Sequence, residues 1–72
     1  MTHLPVLQGK VIIRALALLG YKESRQRGSH IRLDCPGRKS VTVPNHIVGR
    51  GLLRKILRDA RITVEEFNEL LK

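Results

Sequence analysis

The chain has 72 residues, a formal net charge of +8 and a single cysteine. A chain of this length is expected to form one domain at most and to bury only about 60% of its unfolded surface, so its intrinsic stability should be marginal. One cysteine also excludes an internal disulfide and a zinc site built from several thiolates, which fits a reducing compartment.

The positive charge is concentrated in the first 61 residues. These carry 13 lysines and arginines against three acids, a net of +10, whereas residues 62–72 have a net of −2. Because the chain has only two aromatic residues, it is suited to bind a polyanion through phosphates rather than by stacking bases on rings. The apolar run 11–19 is interrupted by Arg14 and is too short to cross a bilayer, and no signal peptide is evident. We therefore expect a cytoplasmic protein with no membrane partner.

The N-terminal part of the chain predicts a lead-in followed by a helix. Residues 1–8 are expected to be a lead-in, because Pro5 disfavours a helix there. The first helix is predicted over residues 9–19 and ends at Gly20. Its core stripe consists of Ile12, Ala15, Leu16 and Leu19. Val11 and Leu18 are apolar but lie off this stripe, so they are candidate residues for contact with another protein.

Three strands are predicted next, over residues 21–27, 29–35 and 39–43. The second strand alternates most clearly, because Ile31, Leu33 and Cys35 are separated by polar residues. If the apolar set faces the core, His30 and Arg32 point outward together. The Pro36-Gly37 pair predicts a tight turn, so the three strands should form an antiparallel meander.

A second helix is predicted over residues 51–60 and a short third helix after it. The apolar face of the second helix consists of Leu52, Leu53, Ile56, Leu57 and Ala60. A basic ridge along one edge consists of Arg50, Arg54, Arg58 and Arg61. No carboxylate stands four residues from Arg50 or Arg54, which favours phosphate contact over pairing along the helix. Thr63 and Glu66 form a capping box for the last helix. The predicted fold is α+β in the order α-β-β-β-α, with helices on one face of a three-stranded antiparallel sheet.

His30 is the candidate catalytic residue. A lone histidine at the start of a strand is most often an ordinary surface residue, but this one has many cationic neighbours. A histidine ordinarily titrates at about pH 6.5, so it can take or give a proton at neutral pH. Cations that hold a phosphate beside it therefore favour proton transfer. The candidate phosphate-binding residues are Arg25, Arg27, Ser29, Arg32 and Lys39 on the strands, and Arg50, Arg54 and Arg58 on the basic ridge.

The other histidines and the acidic residues are weaker candidates for catalysis or metal binding. His46 lies in a loop after a proline and is a secondary candidate, and His3 is given no role. The sequence has no His-x-x-x-His pattern and no paired carboxylates, so catalysis is expected to need no metal and no cofactor.

Five segments of the chain together resemble the HicA toxin family, also called YcfA-like. They are Gly9-Lys10, Gly20-Tyr21, the Arg-Gln-Arg-Gly-Ser-His run at 25–30, the Val-Thr-Val-Pro-Asn-His run at 41–46, and the Leu-Arg-Lys-Ile-Leu-Arg-Asp-Ala run at 53–60. The resemblance extends from residue 9 to residue 71. It implies a double-stranded-RNA-binding-like fold, cleavage of messenger RNA by the histidine of the Gly-Ser-His element, here His30, and inhibition by a HicB-type antitoxin.

The chain departs from the family pattern at two positions of the second helix. Members usually have a threonine where this chain has Leu52 and a glycine where it has Arg61. An arginine is costly in the left-handed conformation that a glycine adopts easily, so we expect this helix to end differently.

The leading hypothesis is a small endoribonuclease toxin in which the RNA 2′-hydroxyl attacks its own phosphate and His30 acts as general base or acid. One alternative is a non-catalytic module that binds double-stranded or structured RNA, since the same fold and charge serve that purpose. A helix-turn-helix DNA regulator is disfavoured, because the predicted sheet leaves no adjacent helix pair before residue 50.

Overall fold

A computed structural model describes residues 4–72. Its elements are β1 (Leu7–Gln8), α1 (Gly9–Ala17), β2 (Lys22–Arg27), β3 (His30–Cys35), β4 (Arg38–Pro44), β5 (Ile47–Val48), α2 (Arg50–Ala60) and α3 (Val64–Leu70). The predicted α+β class, with three antiparallel strands between helices, is confirmed. His3 and the other two residues at the start of the predicted lead-in lie outside the described residues.

The three-stranded sheet has β3 at its centre, between β2 and β4. Gly28 and Gly37 have φ values of 60° and 80° and so allow the two tight turns that join these strands. The predicted alternation holds, because Ile31, Leu33, Val41 and Val43 are buried. We call the side that these four residues line the inner face and the opposite side the outer face. Helices α1 and α2 both pack against β4.

The core joins the inner face to one stripe of each helix. Its fully buried side chains include Phe67, Ile12, Leu16, Leu33 and Leu53. Burying a side chain of this size contributes about 1.5–3 kcal/mol relative to leaving it in water. Leu52, which the pattern placed on the apolar face of α2, is instead 39% exposed. It lies at the flank of the stripe formed by Leu53, Ile56, Leu57 and Ala60, where α2 does not meet the sheet.

Part of the predicted lead-in is built into the domain. Leu4 is only 3% exposed, and its carbonyl accepts a 2.8 Å hydrogen bond from Nε of Arg50. Leu7 and Gln8 form β1, which pairs antiparallel with β5. A two-residue strand is too short to show alternation in sequence, so the pairing could not be predicted.

The start of α3 matches its prediction. The Thr63 hydroxyl accepts a 3.0 Å hydrogen bond from the backbone N–H of Glu66, and the Glu66 carboxylate accepts a 2.9 Å bond from the N–H of Thr63. These bonds, chiefly that from the Thr63 backbone, hold the pKa of Glu66 below its usual value. The capping box is therefore confirmed.

The end of α2 contradicts its prediction. Arg61 adopts the left-handed conformation after all, with φ 60° and ψ 45°, and is the one non-glycine residue with positive φ within residues 4–72. Its N–H donates to the Arg58 carbonyl at 3.1 Å, and the Ala60 carbonyl accepts a 2.8 Å bond from Nη1 of Arg38. The bonds at the helix end and the burial of Ile62 just beyond it outweigh the strain at Arg61.

Gly9 allows a close approach between α1 and the end of β4. A Cβ atom at this position would stand 1.8 Å from the carbonyl oxygen of Pro44 and 2.9 Å from its carbonyl carbon. The Gly9 N–H, at the start of α1, donates a 2.8 Å hydrogen bond to the His46 carbonyl. The first turn of α1 therefore packs directly against the end of β4 and the backbone that follows it.

We predict that Gly9→Ala destabilises the domain by about 3 kcal/mol, because the added methyl group displaces either α1 or the Pro44 backbone. Gly51→Ala is the matched control. Gly51 has open space around it on α2, so alanine there should be neutral or stabilise by up to about 1 kcal/mol. Denaturant unfolding of both variants measures the difference. Equal stability of the two variants would contradict the close contact at Gly9.

Candidate functional site

His30 is the first residue of β3 and is held by its neighbours on both sides. It is paired with Arg27 on β2 and with Pro44 on β4. The preceding turn is anchored as well, because the carbonyl of Ser29 accepts a 2.6 Å hydrogen bond from the N–H of Asn45. The backbone at His30 is therefore fixed, while its side chain remains exposed.

The His30 side chain lies in an open cleft of about 260 Å³ on the outer face. The cleft is lined by Arg25, Arg27, His30, Arg32 and Thr42. Arg25 lies opposite Arg32, and Arg32 lies opposite Thr42, so one row of the sheet carries three of these side chains. The structure thus brings His30 together with three of the arginines predicted to surround it. Thr42 was missed, although its place between the inward-facing Val41 and Val43 was a usable signal.

The cleft is strongly cationic. Arg25 and Arg27 form no ion pair within residues 4–72, and Arg32 has an exposed partner in Asp34, with Nε and Oδ1 3.4 Å apart. Neighbouring guanidinium groups repel one another, and an anion placed between them would relieve that repulsion. Guanidinium groups also donate several hydrogen bonds in a geometry that matches phosphate oxygens. The cleft is suited to hold a phosphate beside an imidazole.

In sequence, His46 lies close to the residues that line the cleft. Its ring Nδ1 is 2.9 Å from the Ile47 carbonyl oxygen, so Nδ1 carries the proton when that contact is a hydrogen bond. Its own carbonyl holds the start of α1, and the neighbouring Asn45 holds Ser29. His46 is exposed but does not line the cleft. The backbone of Asn45, not that of His46, contacts the turn before His30.

Lys39 and the basic ridge lie apart from the cleft. Nζ of Lys39 is 3.7 Å from Oδ1 of Asp59 on α2, the helix that packs on the inner side of the sheet. The guanidinium of Arg50 is engaged with the Leu4 carbonyl, while Arg54 and Arg58 are exposed on α2. Of the predicted phosphate-binding residues, three arginines therefore line the cleft and three lie on α2, while Ser29 and Lys39 belong to neither surface.

A second recess, the helix groove, lies between α1 and α3 and has a volume of about 270 Å³. It is lined by Val11, Arg14, Ala15, Leu18, Leu70, Leu71 and Lys72. Both predicted contact residues line it, with Val11 partly buried and Leu18 69% exposed. Arg14 and Lys72 add positive charge to an otherwise apolar surface.

Two kinds of site are not found in the part of the chain that the structure describes. Residues 4–72 contain no group of three or more His, Cys, Asp or Glu side chains arranged to hold a metal ion. None of the helices in this range has the length and apolar character needed to span a membrane.

Comparison with known protein families identifies a match for most of the chain. Residues 9–62, which are 54 of the 72 residues, match the family described as "HicA toxin of bacterial toxin-antitoxin". The matched range begins at Gly9, includes the whole cleft and ends just after the left-handed Arg61. No curated protein matches the chain.

Proposed function

Because this chain belongs to the HicA toxin family of bacterial toxin-antitoxin systems, we propose that it is the toxin of such a pair and acts as an endoribonuclease on messenger RNA. The observation that carries the proposal is the position of His30, exposed in a cleft lined by three arginines. An imidazole can transfer a proton and cations can stabilise phosphate charge, and these are two contributions that RNA cleavage without a metal uses.

In this reaction the ribose 2′-hydroxyl attacks the adjacent phosphorus, and the bond from phosphorus to the 5′-oxygen of the next nucleotide breaks. The products are a 2′,3′-cyclic phosphate and a 5′-hydroxyl. His30 either takes the proton from the 2′-hydroxyl or gives one to the departing 5′-oxygen. Arg25, Arg27 and Arg32 stabilise the extra negative charge on the phosphate oxygens in the transition state.

The paired strands fix the backbones of the three arginines, so all three side chains start from the same side of the sheet. Arg27 is paired with His30 and Arg25 with Arg32, so a phosphate held beside His30 would have arginines of both β2 and β3 near it. Exposed Arg54 and Arg58 on the basic ridge add a second contact with the RNA backbone.

A toxin of this family has an antitoxin partner, and we propose that a HicB-type antitoxin docks in the helix groove. Leu18 is the most exposed large apolar side chain among residues 4–72, and it lies in this groove beside Arg14 and Lys72. An apolar segment of the antitoxin flanked by acidic residues would complement both the surface and its charge. Burying Leu18 would contribute about 1.5–3 kcal/mol to binding.

We predict that His30→Ala lowers RNA cleavage by about a hundredfold to ten-thousandfold, the usual contribution of a positioned acid or base. Folding should change by no more than about 0.5 kcal/mol, because the side chain is exposed and no cavity opens. RNA binding should persist, and a chelator should leave the wild-type rate unchanged. His46→Ala is the matched control and should retain cleavage. Full activity of the His30 variant would refute the assignment, and a wild type that binds RNA without cutting it would favour a binding module.

We predict that RNA affinity falls steeply with salt, with a log-log slope of about −0.7 for each phosphate neutralised on a single strand. Arg54→Ala should make the slope shallower by less than about one unit. Lys55→Ala on the same helix is the control, because Lys55 is already 3.9 Å from the Asp59 carboxylate. Equilibrium binding over a salt series measures both. Affinity independent of salt, or equal effects of the two variants, would contradict the role of the ridge.

We predict that Leu18→Lys weakens antitoxin binding by about 1.5–3 kcal/mol while leaving thermal stability unchanged. The reason is that the side chain is 69% exposed and becomes buried only in the complex. Leu52→Lys tests the opposite case, since Leu52 is also exposed but lies on α2, outside the groove. Calorimetric titration with the antitoxin compares the two. Unfolding of the Leu18 variant, or equal losses at both positions, would reject the groove as the docking site.

A further inference from the structure

The outer face carries a second recess next to the cleft. This polar pocket, about 360 Å³ in volume, is lined by Ser24, Arg25, Arg32 and Asp34. It shares Arg25 and Arg32 with the cleft, so the two arginines form the wall between them. His30 and Asp34 lie on the same side of β3, four residues and so about 13 Å apart. That distance suits a neighbouring nucleotide rather than the phosphate being cut.

Asp34 is an unexpected residue on a surface that must attract phosphate. Its carboxylate is held in place, because the Ser40 hydroxyl and Nε of Arg32 both donate to Oδ1. Hydrogen bonds from Ser40 and then Ser24 hold the pKa of Asp34 below its usual value, so the group is ionised at neutral pH. Its side chain remains 49% exposed. The pocket therefore presents a carboxylate, which accepts hydrogen bonds and repels phosphate, beside two guanidinium groups, which donate hydrogen bonds.

Among the parts of an RNA, a base edge fits this combination. Guanine presents two adjacent donors, N1–H and the N2 amino group, beside the O6 acceptor. Uracil offers one N–H on this edge, and adenine and cytosine each offer one amino group, so none of them matches the carboxylate with two donors. Single-stranded RNA exposes these edges to proteins.

We propose that the polar pocket recognises a guanine base close to the phosphate cleaved at His30, with Asp34 accepting from N1–H and the N2 amino group while Arg32 or Arg25 donates to O6. This inference rests on the proposed nuclease function and assigns a base preference to the same surface. The exposed Arg32 and Asp34 pair would contribute little to folding by itself, so stability alone gives a weak reason for a carboxylate at this position.

The test compares Asp34→Asn with Asp59→Asn. Both variants gain one unit of positive charge, but Asp59 lies on α2, where it pairs with Lys39 and Lys55. Cleavage of a single-stranded RNA pool with randomised positions, followed by sequencing of the cut ends, gives the base preference around the cut. Affinities for non-cleavable 2′-deoxy oligonucleotides, with guanine, inosine or uracil at one position, are measured in parallel.

We expect the wild type and Asp59→Asn to favour guanine at one fixed position near the cut, and Asp34→Asn to lose about tenfold of that preference without loss of fold. Inosine, which lacks the N2 amino group, should be bound more weakly than guanine by the wild type and Asp59→Asn but not by Asp34→Asn. A wild type that fails to cut but prefers guanine in binding would reject the nuclease function and retain the pocket. No guanine preference in either assay, or an unchanged preference in Asp34→Asn, would overturn the inference.

Discussion

The absence of a side chain at Gly9 determines the position of His30 on the outer face. With no Cβ atom in the way, the start of α1 sits on the Pro44 carbonyl and binds the His46 carbonyl through its first N–H. The residue between those two, Asn45, donates to Ser29 and so fixes the turn before His30. A packing contact on the core side of the sheet thereby positions the histidine on the other side. Fold and site are coupled through three consecutive backbone groups.

The two faces of the central strand, β3, have different roles: one contributes to the core and the other carries the candidate functional side chains. Alternate residues of β3 point to opposite faces, so Ile31 and Leu33 contribute to the core while His30 and Arg32 remain in solvent. Changes on the outer face can therefore alter charge and substrate contacts without opening cavities. This arrangement has an electrostatic cost, because the three arginines in the cleft repel one another until an anion binds. That repulsion favours binding of a polyanion.

The residues that followed a regular period were predictable from sequence, and those that depend on partners far along the chain were not. Alternation in β3 was enough to place His30 and Arg32 side by side, and the spacing of Thr63 and Glu66 was enough to identify a helix start. Lys39 was predicted near the histidine because it is cationic and close in sequence. Its pairing with Asp59 depends on how α2 crosses the sheet, which local pattern does not encode.

The same limit explains the rest of the site. Asp34 looked like one polar residue in an alternating strand, and only the Ser40 hydroxyl and the Arg32 guanidinium that donate to it make it distinctive. The pairing of β1 with β5 and the burial of Leu4 likewise arise from contacts some forty residues away in sequence. By contrast, the outward direction of Leu18 followed directly from the helical period.

The left-handed arginine at the end of α2 also bears on how long the protein lasts. Holding Arg61 at φ 60° stores about 1 kcal/mol that a glycine would not store, which raises the unfolded fraction about fivefold. Proteases that act on the transiently opened chain degrade it in proportion to that fraction. A partner that binds only the folded form lowers the fraction again. The strain at Arg61 therefore shortens the lifetime of the chain most visibly when no such partner is bound.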